Sequence, residues 1–368
     1  MRIIIAGGGT AGHIYPGIAL AKKLLKKQAG MEILFVGTEK GMESRLVPKE
    51  GFKIEYIRVS GFQRKIGLGF FKTFRQMFDG YADAKEIIKK FKPDVVVGMG
   101  GYVCGPMLYC ASRMKIPTLI HEQNAIPGVT NKLLAKRVRT VCISFEESRK
   151  FFKGARYISF TGNPVREEFL SANRKDGREK YGLLPGQRFV AVMGGSLGAD
   201  KINQILVEMI EKHYRPGSYK LLFATGETRY DEVMASFTKR IPEGVEIVNF
   251  IHDVGSVYAA SDLMLCRAGA ITLSELAFMG TPSILIPSPN VTANHQEQNA
   301  LAFRNSGAAF VLHEHDLNAK MLSETIDDLL SNHAILNKMS KQAREIAMPD
   351  AAKKMVEEVM CLVANNKY

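Results

Sequence analysis

What the chain lacks narrows its class first. Its 368 residues hold five cysteines, Cys104, Cys110, Cys142, Cys266 and Cys361, and no two form a CxxC pair. An odd, scattered set in apolar runs excludes a disulfide framework and fits reduced thiols in the cytosol. The opening MRIIIAGGG puts glycines where an apolar signal core would continue, so no signal peptide is expected. One uncharged run of 18 residues, Val95 to Ser112, carries four glycines and Pro106 between Asp94 and Arg113. It reads as strand, turn and helix start, not as a membrane span. No Asp-x-Asp pair or histidine cluster reads as a metal site, no metal or other cofactor is expected, and no segment is low in complexity.

What is present is a soluble globular composition, 46% hydrophobic and 24% charged, long enough for two cores. The net charge of +13 is unevenly spread. Residues 1–163 carry 28 Lys and Arg against 12 Asp and Glu; residues 164–368 carry 22 against 25. A basic first half attracts nucleic acid, an anionic membrane or an acidic substrate, or is simply a soluble surface.

Strand-like and helical runs alternate through both halves, which predicts two parallel sheets covered on both faces. Strands are expected at Ile3–Ala6, Ile33–Val36, Ile54–Val59, Val95–Gly98, Thr118–His121 and Thr140–Ile143, then near 189–193, 220–224, 245–249, 262–266 and 283–286. The junction is placed at Thr161-Gly162-Asn163-Pro164, dividing 1–163 from 164–342, with a helical tail over 343–368 expected to rejoin the first domain.

Each half opens on one device. An apolar strand runs into GGGTAGH (Gly7 to His13), and another into GGSLGAD (Gly194 to Asp200). Glycines there let backbone N–H groups approach an anion, and the following helix adds partial positive charge. The first turn satisfies G-x-G-x-x-G, but a dinucleotide fingerprint also wants an acid ending the second strand, and only Glu39 lies near. A third turn, Gly98-Met99-Gly100-Gly101-Tyr102, follows another first-half strand and suggests a second pyrophosphate ligand. The alternative is that these glycines only permit tight turns. The most specific segment is CRAGAITLSE (266–275): a strand end, a helix start at Ala270, and Glu275 one turn in, placed for ribose hydroxyls. Glu275 taken alone also reads as a solvated helix carboxylate.

In order and spacing, GGGTAGHIYPG (7–17), GMGGYVCGP (98–106), HEQNAIPG (121–128), TGNPVR (161–166), GGSLGA (194–199), CRAGAITLSE (266–275) and NHQEQNA (294–300) resemble the MurG family of peptidoglycan N-acetylglucosaminyltransferases over nearly the whole chain. The resemblance implies the α/β GT-B architecture, two Rossmann-like doubly wound domains, an acceptor domain and then a donor domain. It implies inverting transfer of N-acetylglucosamine from UDP-N-acetylglucosamine to the C4 hydroxyl of the muramoyl sugar of lipid I, giving lipid II and UDP. By matching motif, donor contacts are implied at Thr10, Ala11, Gly12, Asn124, Arg166, Ser196, Ile251, Ala270, Ile271, Thr272, Leu273, Ser274, Glu275 and Gln296, and acceptor contacts at Gly100, Gly101 and Tyr102. Ala11 stands where the family usually has glycine, and residues 290–294 depart from its usual acidic pattern. Further partners implied are lipid I, an anionic lipid surface and other cell-wall synthesis and division proteins, at the cytoplasmic face of the plasma membrane; nucleic acid is not among them.

Inverting transfer needs a base for the acceptor hydroxyl and a way to hold the departing diphosphate. His13 is the leading base, Glu122 the second; His13 is alternatively a hydrogen-bond partner of the acceptor pyrophosphate. Helix starts at Ser196 and Ala270, with Arg166, are expected to stabilise UDP. Phe70, Phe74, Met77, Tyr81, Ala84, Ile88 and Phe91 form a helical core stripe, which leaves Phe62, Ile66, Leu68, Phe71 and Phe78 among Arg64, Lys65, Lys72 and Arg75. That mixture suits an anionic membrane surface, with Lys132, Lys136, Arg137 and Arg139 as a flanking cluster. Rival readings are a UDP-N-acetylglucosamine 2-epimerase, a nicotinamide-dependent dehydrogenase and a basic nucleic-acid-binding protein.

Overall fold

A computed structural model describes residues 1–60, 68–195, 198–291 and 294–365, with residues 68–77 as helical backbone. It divides into two compact units, Met1–Arg166 with Met348–Tyr368, and Glu167–Ala347.

The first unit is built on seven parallel strands: β1 (Arg2–Ala6), β2 (Glu32–Gly37), β3 (Lys53–Tyr56), β4 (Val95–Gly98), β5 (Thr118–Glu122), β6 (Thr140–Ile143) and β7 (Ile158–Phe160), in the order β3-β2-β1-β4-β5-β6-β7. Successive side chains of β1 go to opposite faces: Ile3 and Ile5 into one core, Ile4 and Ala6 into the other. Both faces are covered by helices, which is why these strands are apolar throughout. Helix Ala351–Ala364 sends Met355, Val356, Val359 and Leu362 into the Ile3/Ile5 core. The return to this unit starts at Met348, not at residue 343, because helix His333–Glu345 keeps Leu336 and Met339 in the second unit's core.

The second unit has six parallel strands: β8 (Phe189–Met193), β9 (Lys220–Ala224), β10 (Val245–Val248), β11 (Leu263–Cys266), β12 (Ser283–Leu285) and β13 (Ala309–Val311), in the order β10-β9-β8-β11-β12-β13. In each sheet the chain reverses its direction of winding beside the first strand, between β1 and β4 and between β8 and β11. Loops at the carboxyl ends of those pairs are where such sheets hold ligands.

Candidate active site

In the first unit the turn after β1 runs straight into helix Ala11–Lys27, so His13 stands in the first turn of that helix. Its Nδ1 lies 2.9 Å from Gly8 O and 3.2 Å from Thr10 Oγ1. A carbonyl only accepts, so Nδ1 carries the proton, and the lone pair of the neutral ring falls on Nε2. The turn after β4 packs against this ring. Gly100 and Gly101 have φ of +102° and +83°. A Cβ on Gly100 would lie 2.9 Å from His13 Nε2, and one on Gly101 would overlap Gly8 O. Both the backbone conformation and the close approach therefore require glycine. The Tyr102 ring lies over Gly9.

The first turn differs from the anion cradle expected of it. Gly7 N–H donates to Val36 O at 3.2 Å, and Gly9 N–H to Glu43 Oε2 at 3.0 Å. Two of its amides thus turn inward, while Thr10 is exposed and Ala11 and Gly12 at the helix start are half-buried. Sequence reasoning looked for an acid at the end of β2 and met Glu39, which is exposed. The acid that reaches the turn is Glu43, 1% exposed, at the start of helix Glu43–Lys49.

Glu122, at the end of β5, is 2% exposed. Its carboxylate accepts from Asn124 N (3.0 Å), Asn124 Nδ2 (3.2 Å), Gly128 N (3.1 Å) and Asn131 Nδ2 (2.8 Å). Burial raises its pKa and these donors pull the other way. With both oxygens held by its own loop, Glu122 is built to shape residues 122–131. The same bonds tie up the Asn124 amide. Beside it, His121 is fully buried: Nδ1 accepts from Gln123 Nε2 at 3.1 Å, and Nε2 faces Gly162 O and Ser144 Oγ, each at 3.0 Å. Burial lowers its pKa to about 4, with the nearby His13 adding to the effect, so the ring is neutral. Gln123 Nε2 also reaches Met99 O at 2.6 Å, and Asn163 Nδ2 reaches Gln123 O at 3.2 Å. This network joins the carboxyl ends of β4, β5, β6 and β7. The Arg166 guanidinium sits 5.0 Å over the Tyr15 ring. The Cys104 thiol, pushed up to about 12 by burial, bonds Ala6 O and Gly100 O and is inert.

In the second unit β11 ends at Cys266, and Gly269 caps helix Ala270–Met279 without a side-chain bond. Glu275 is 3% exposed, and Tyr258 Oη donates to its Oε2 at 3.4 Å. It is therefore no solvated surface carboxylate. Ala270 and Leu273 are buried, and Leu273 N–H bonds Gly269 O, so neither of these side chains faces outward. Ile271, Thr272 and Ser274 are half-buried, and Ser274 Oγ donates to Ala270 O at 2.9 Å. Ile251, beyond β10, is buried. Gln296 Oε1 accepts from Ser288 N at 2.9 Å, which turns its NH2 into the donor end. The loop before helix Ala270–Met279 is braced by residues that the sequence did not single out: Asn299 Nδ2 bonds Ala268 O at 3.2 Å, and Arg267 pairs with Glu314. Ser196 lies outside the described residues.

Two family models match in sequence order: the glycosyltransferase family 28 N-terminal domain over residues 3–143 and its C-terminal domain over residues 189–355. A curated relative from Acetivibrio thermocellus is 48% identical over 99% of both chains. It is named UDP-N-acetylglucosamine--N-acetylmuramyl-(pentapeptide) pyrophosphoryl-undecaprenol N-acetylglucosamine transferase. The chain belongs to the MurG family of glycosyltransferases.

A crystal structure of Acinetobacter baumannii MurG superposes with a TM-score of 0.77 at 28% identity, covering 98% of this chain and 99% of that one. The UDP-GlcNAc 2-epimerase of Neisseria meningitidis, bound to UDP-GlcNAc, reaches 0.66 at 12% identity over 98% and 100% of the two chains. That likeness shows a shared fold alone. The MurG relationship runs through both family 28 domains, so the epimerase alternative is not favoured. The dehydrogenase reading also falls to it, as does a purely nucleic-acid-binding role.

Proposed function

We propose that this chain transfers N-acetylglucosamine from UDP-N-acetylglucosamine to the C4 hydroxyl of the muramoyl sugar of undecaprenyl-pyrophosphoryl-MurNAc-pentapeptide, releasing UDP with inversion at the anomeric carbon. The observation that carries it is the near-full-length identity to a relative named for that transfer. The geometry within each unit supports it. His13 Nε2 takes the proton of the attacking hydroxyl, a step typically worth 10²–10⁴-fold. Its Nδ1 bonds Gly8 O, which leaves Nε2 as the basic nitrogen of the neutral ring. Glu122, held by four N–H groups, organises the loop instead of taking the proton. Gly100, Gly101 and Tyr102 face the acceptor.

On the donor, Glu275 accepts from the ribose hydroxyls and the Gln296 NH2 group donates. Ile271, Thr272 and Ser274 are half-buried and offer contacts in the same unit; Ile251, Leu273, Ser196, Thr10, Ala11, Gly12, Asn124 and Arg166 are assigned to the donor on the resemblance alone. The start of helix Ala270–Met279 meets the charge that grows on the leaving diphosphate, contributing about 0.3–1 kcal/mol when wet and more when dry. This reading uses no metal. Transfer of labelled sugar to a lipid I analogue tests it: product forms equally with and without chelator, and UDP release without acceptor would point to epimerase chemistry instead.

No helix among the described residues is long and apolar enough to cross a membrane. We read the attachment to the lipid-linked acceptor as peripheral, at the cytoplasmic face of the membrane. Most of the Phe62–Phe78 patch falls outside the described residues or side chains; Phe78 itself is exposed, while Ala84 and Ile88 of the stripe are core. The flanking basic cluster proves to have its own apolar centre: Val129 is 64% and Leu133 73% exposed on helix Val129–Leu134, beside Lys132, Lys136, Arg137 and Arg139. Apolar tips with basic neighbours support docking on anionic lipid.

A further inference from the structure

The Gly8–Gly9 peptide is held at both ends. Its carbonyl accepts from His13 Nδ1 at 2.9 Å, and its N–H donates to Glu43 Oε2 at 3.0 Å. Both bonds fall on one planar, resonance-coupled amide. A carboxylate on the N–H end moves electron density toward the carbonyl oxygen and makes it a better acceptor; hydrogen bonds chained in this way strengthen one another by about 10–30% each.

Glu43 is built into this place. Its other oxygen accepts from Thr38 N at 2.9 Å and Thr38 Oγ1 at 2.8 Å. A Cβ on Gly8, Gly37 or Gly41 would overlap its side chain, so a glycine of the first turn and two at and just beyond the end of β2 form its slot. Being buried, its charge is poorly screened by water. Among the described residues, ionisable groups near His13 include His121 at the end of β5, Tyr102 over Gly9, and Cys104 bonded to Gly100 O.

We propose that Glu43 is a positioning residue for the base: through the Gly8–Gly9 amide it fixes His13 as the Nδ1–H tautomer and raises the proton affinity of Nε2. This rests on His13 being the base. The device resembles a carboxylate–histidine dyad with one peptide unit inserted between the partners. When Nε2 takes the hydroxyl proton, the polarised Gly8 carbonyl stabilises the imidazolium, and Glu43 itself exchanges no proton.

The test is ¹⁵N NMR of histidine-labelled protein, combined with pH profiles of kcat/KM for sugar transfer. In the wild type, neutral His13 carries its proton on Nδ1, the tautomer that a free histidine side chain disfavours. In Glu43→Gln, which keeps the shape and removes the charge, the pKa of His13 drops by about 0.5–1 unit. The acidic limb of the rate profile moves to lower pH by the same amount, and the plateau falls as the base weakens. A merely structural role would lower the plateau and leave both values in place, and that result overturns the proposal. So does a wild-type His13 protonated on Nε2, a measurement that stands even if Glu43→Gln does not fold. An acidic limb that persists in His13→Gln would instead remove His13 as the base, while the tautomer and the His13 shift still decide the Glu43 contact.

Discussion

His121 gives a direct handle on the first unit's sheet edge. Its pKa is lowered from 6.5 to about 4 because the ring is buried among Gln123, Ser144 and Gly162. In the unfolded chain it titrates near 6.5. Between those values the unfolded state binds a proton that the folded state refuses, so stability is lost as pH falls through the window. At pH 5 the difference is about 2 kcal/mol relative to pH 7.5, and it approaches about 3 kcal/mol below pH 4. For a unit of this size that corresponds to a fall in Tm of about 4–8 °C at pH 5. Calorimetry of wild type and His121→Gln at both pH values reads it. The variant is the less stable protein at pH 7.5, and the gap narrows by about 2 kcal/mol at pH 5. A gap that stays constant would mean that His121 is protonated in the folded protein or that its ring is solvated, and the argument from burial would fail.

Three further outcomes follow from the geometry. His13→Ala lowers turnover at least about 100-fold with donor KM nearly unchanged; a weakened donor KM with intact turnover would take His13 out of the base role. Glu275→Ala raises the UDP dissociation constant at least about tenfold by calorimetric titration, since buried hydrogen bonds to a charged group are lost; unaltered UDP binding would move the ribose site elsewhere. Leu133→Ser combined with Lys132→Glu reduces flotation with anionic liposomes and leaves transfer to a water-soluble acceptor analogue unchanged; equal flotation would exclude the helix Val129–Leu134 patch.

The central strands were legible because apolar runs bounded by glycine leave few alternatives. Val95–Gly98 and Phe189–Met193 fall where expected. The outer strands Ile158–Phe160 and Ala309–Val311 were not, since three residues carry no period and pairing with β6 and β12 makes them strands. At the candidate site, His13 and Glu275 were singled out because each stands within a turn or two of a glycine-marked strand end. Glu122 was put forward as the second base because its place at a strand end was visible; the Gly128 and Asn131 donors that occupy its carboxylate were not, since they come from six and nine residues on. Arg267–Glu314 and Asn299–Ala268 were out of reach because only packing brings those partners together.

Glu43 carries the sharpest lesson about the first turn. Four glycines within six residues suggested a cradle for phosphate. Instead one of their amides is spent on a buried carboxylate, and a negative charge stands behind the loop. A second anion close to Gly9 would be repelled, so the glycines there serve close packing around Glu43 and His13 more than anion capture. The diphosphate charge must then be met mainly by helix starts and cations that have no buried acid behind their first amides. The start of helix Ala270–Met279 meets that condition better than the first turn does, since its acid, Glu275, lies a turn further in and is bonded by Tyr258. On the proposed reading, the two glycine turns that look alike in the sequence therefore do different work: one holds His13 through Gly8 O, and the other belongs to the unit assigned to the nucleotide.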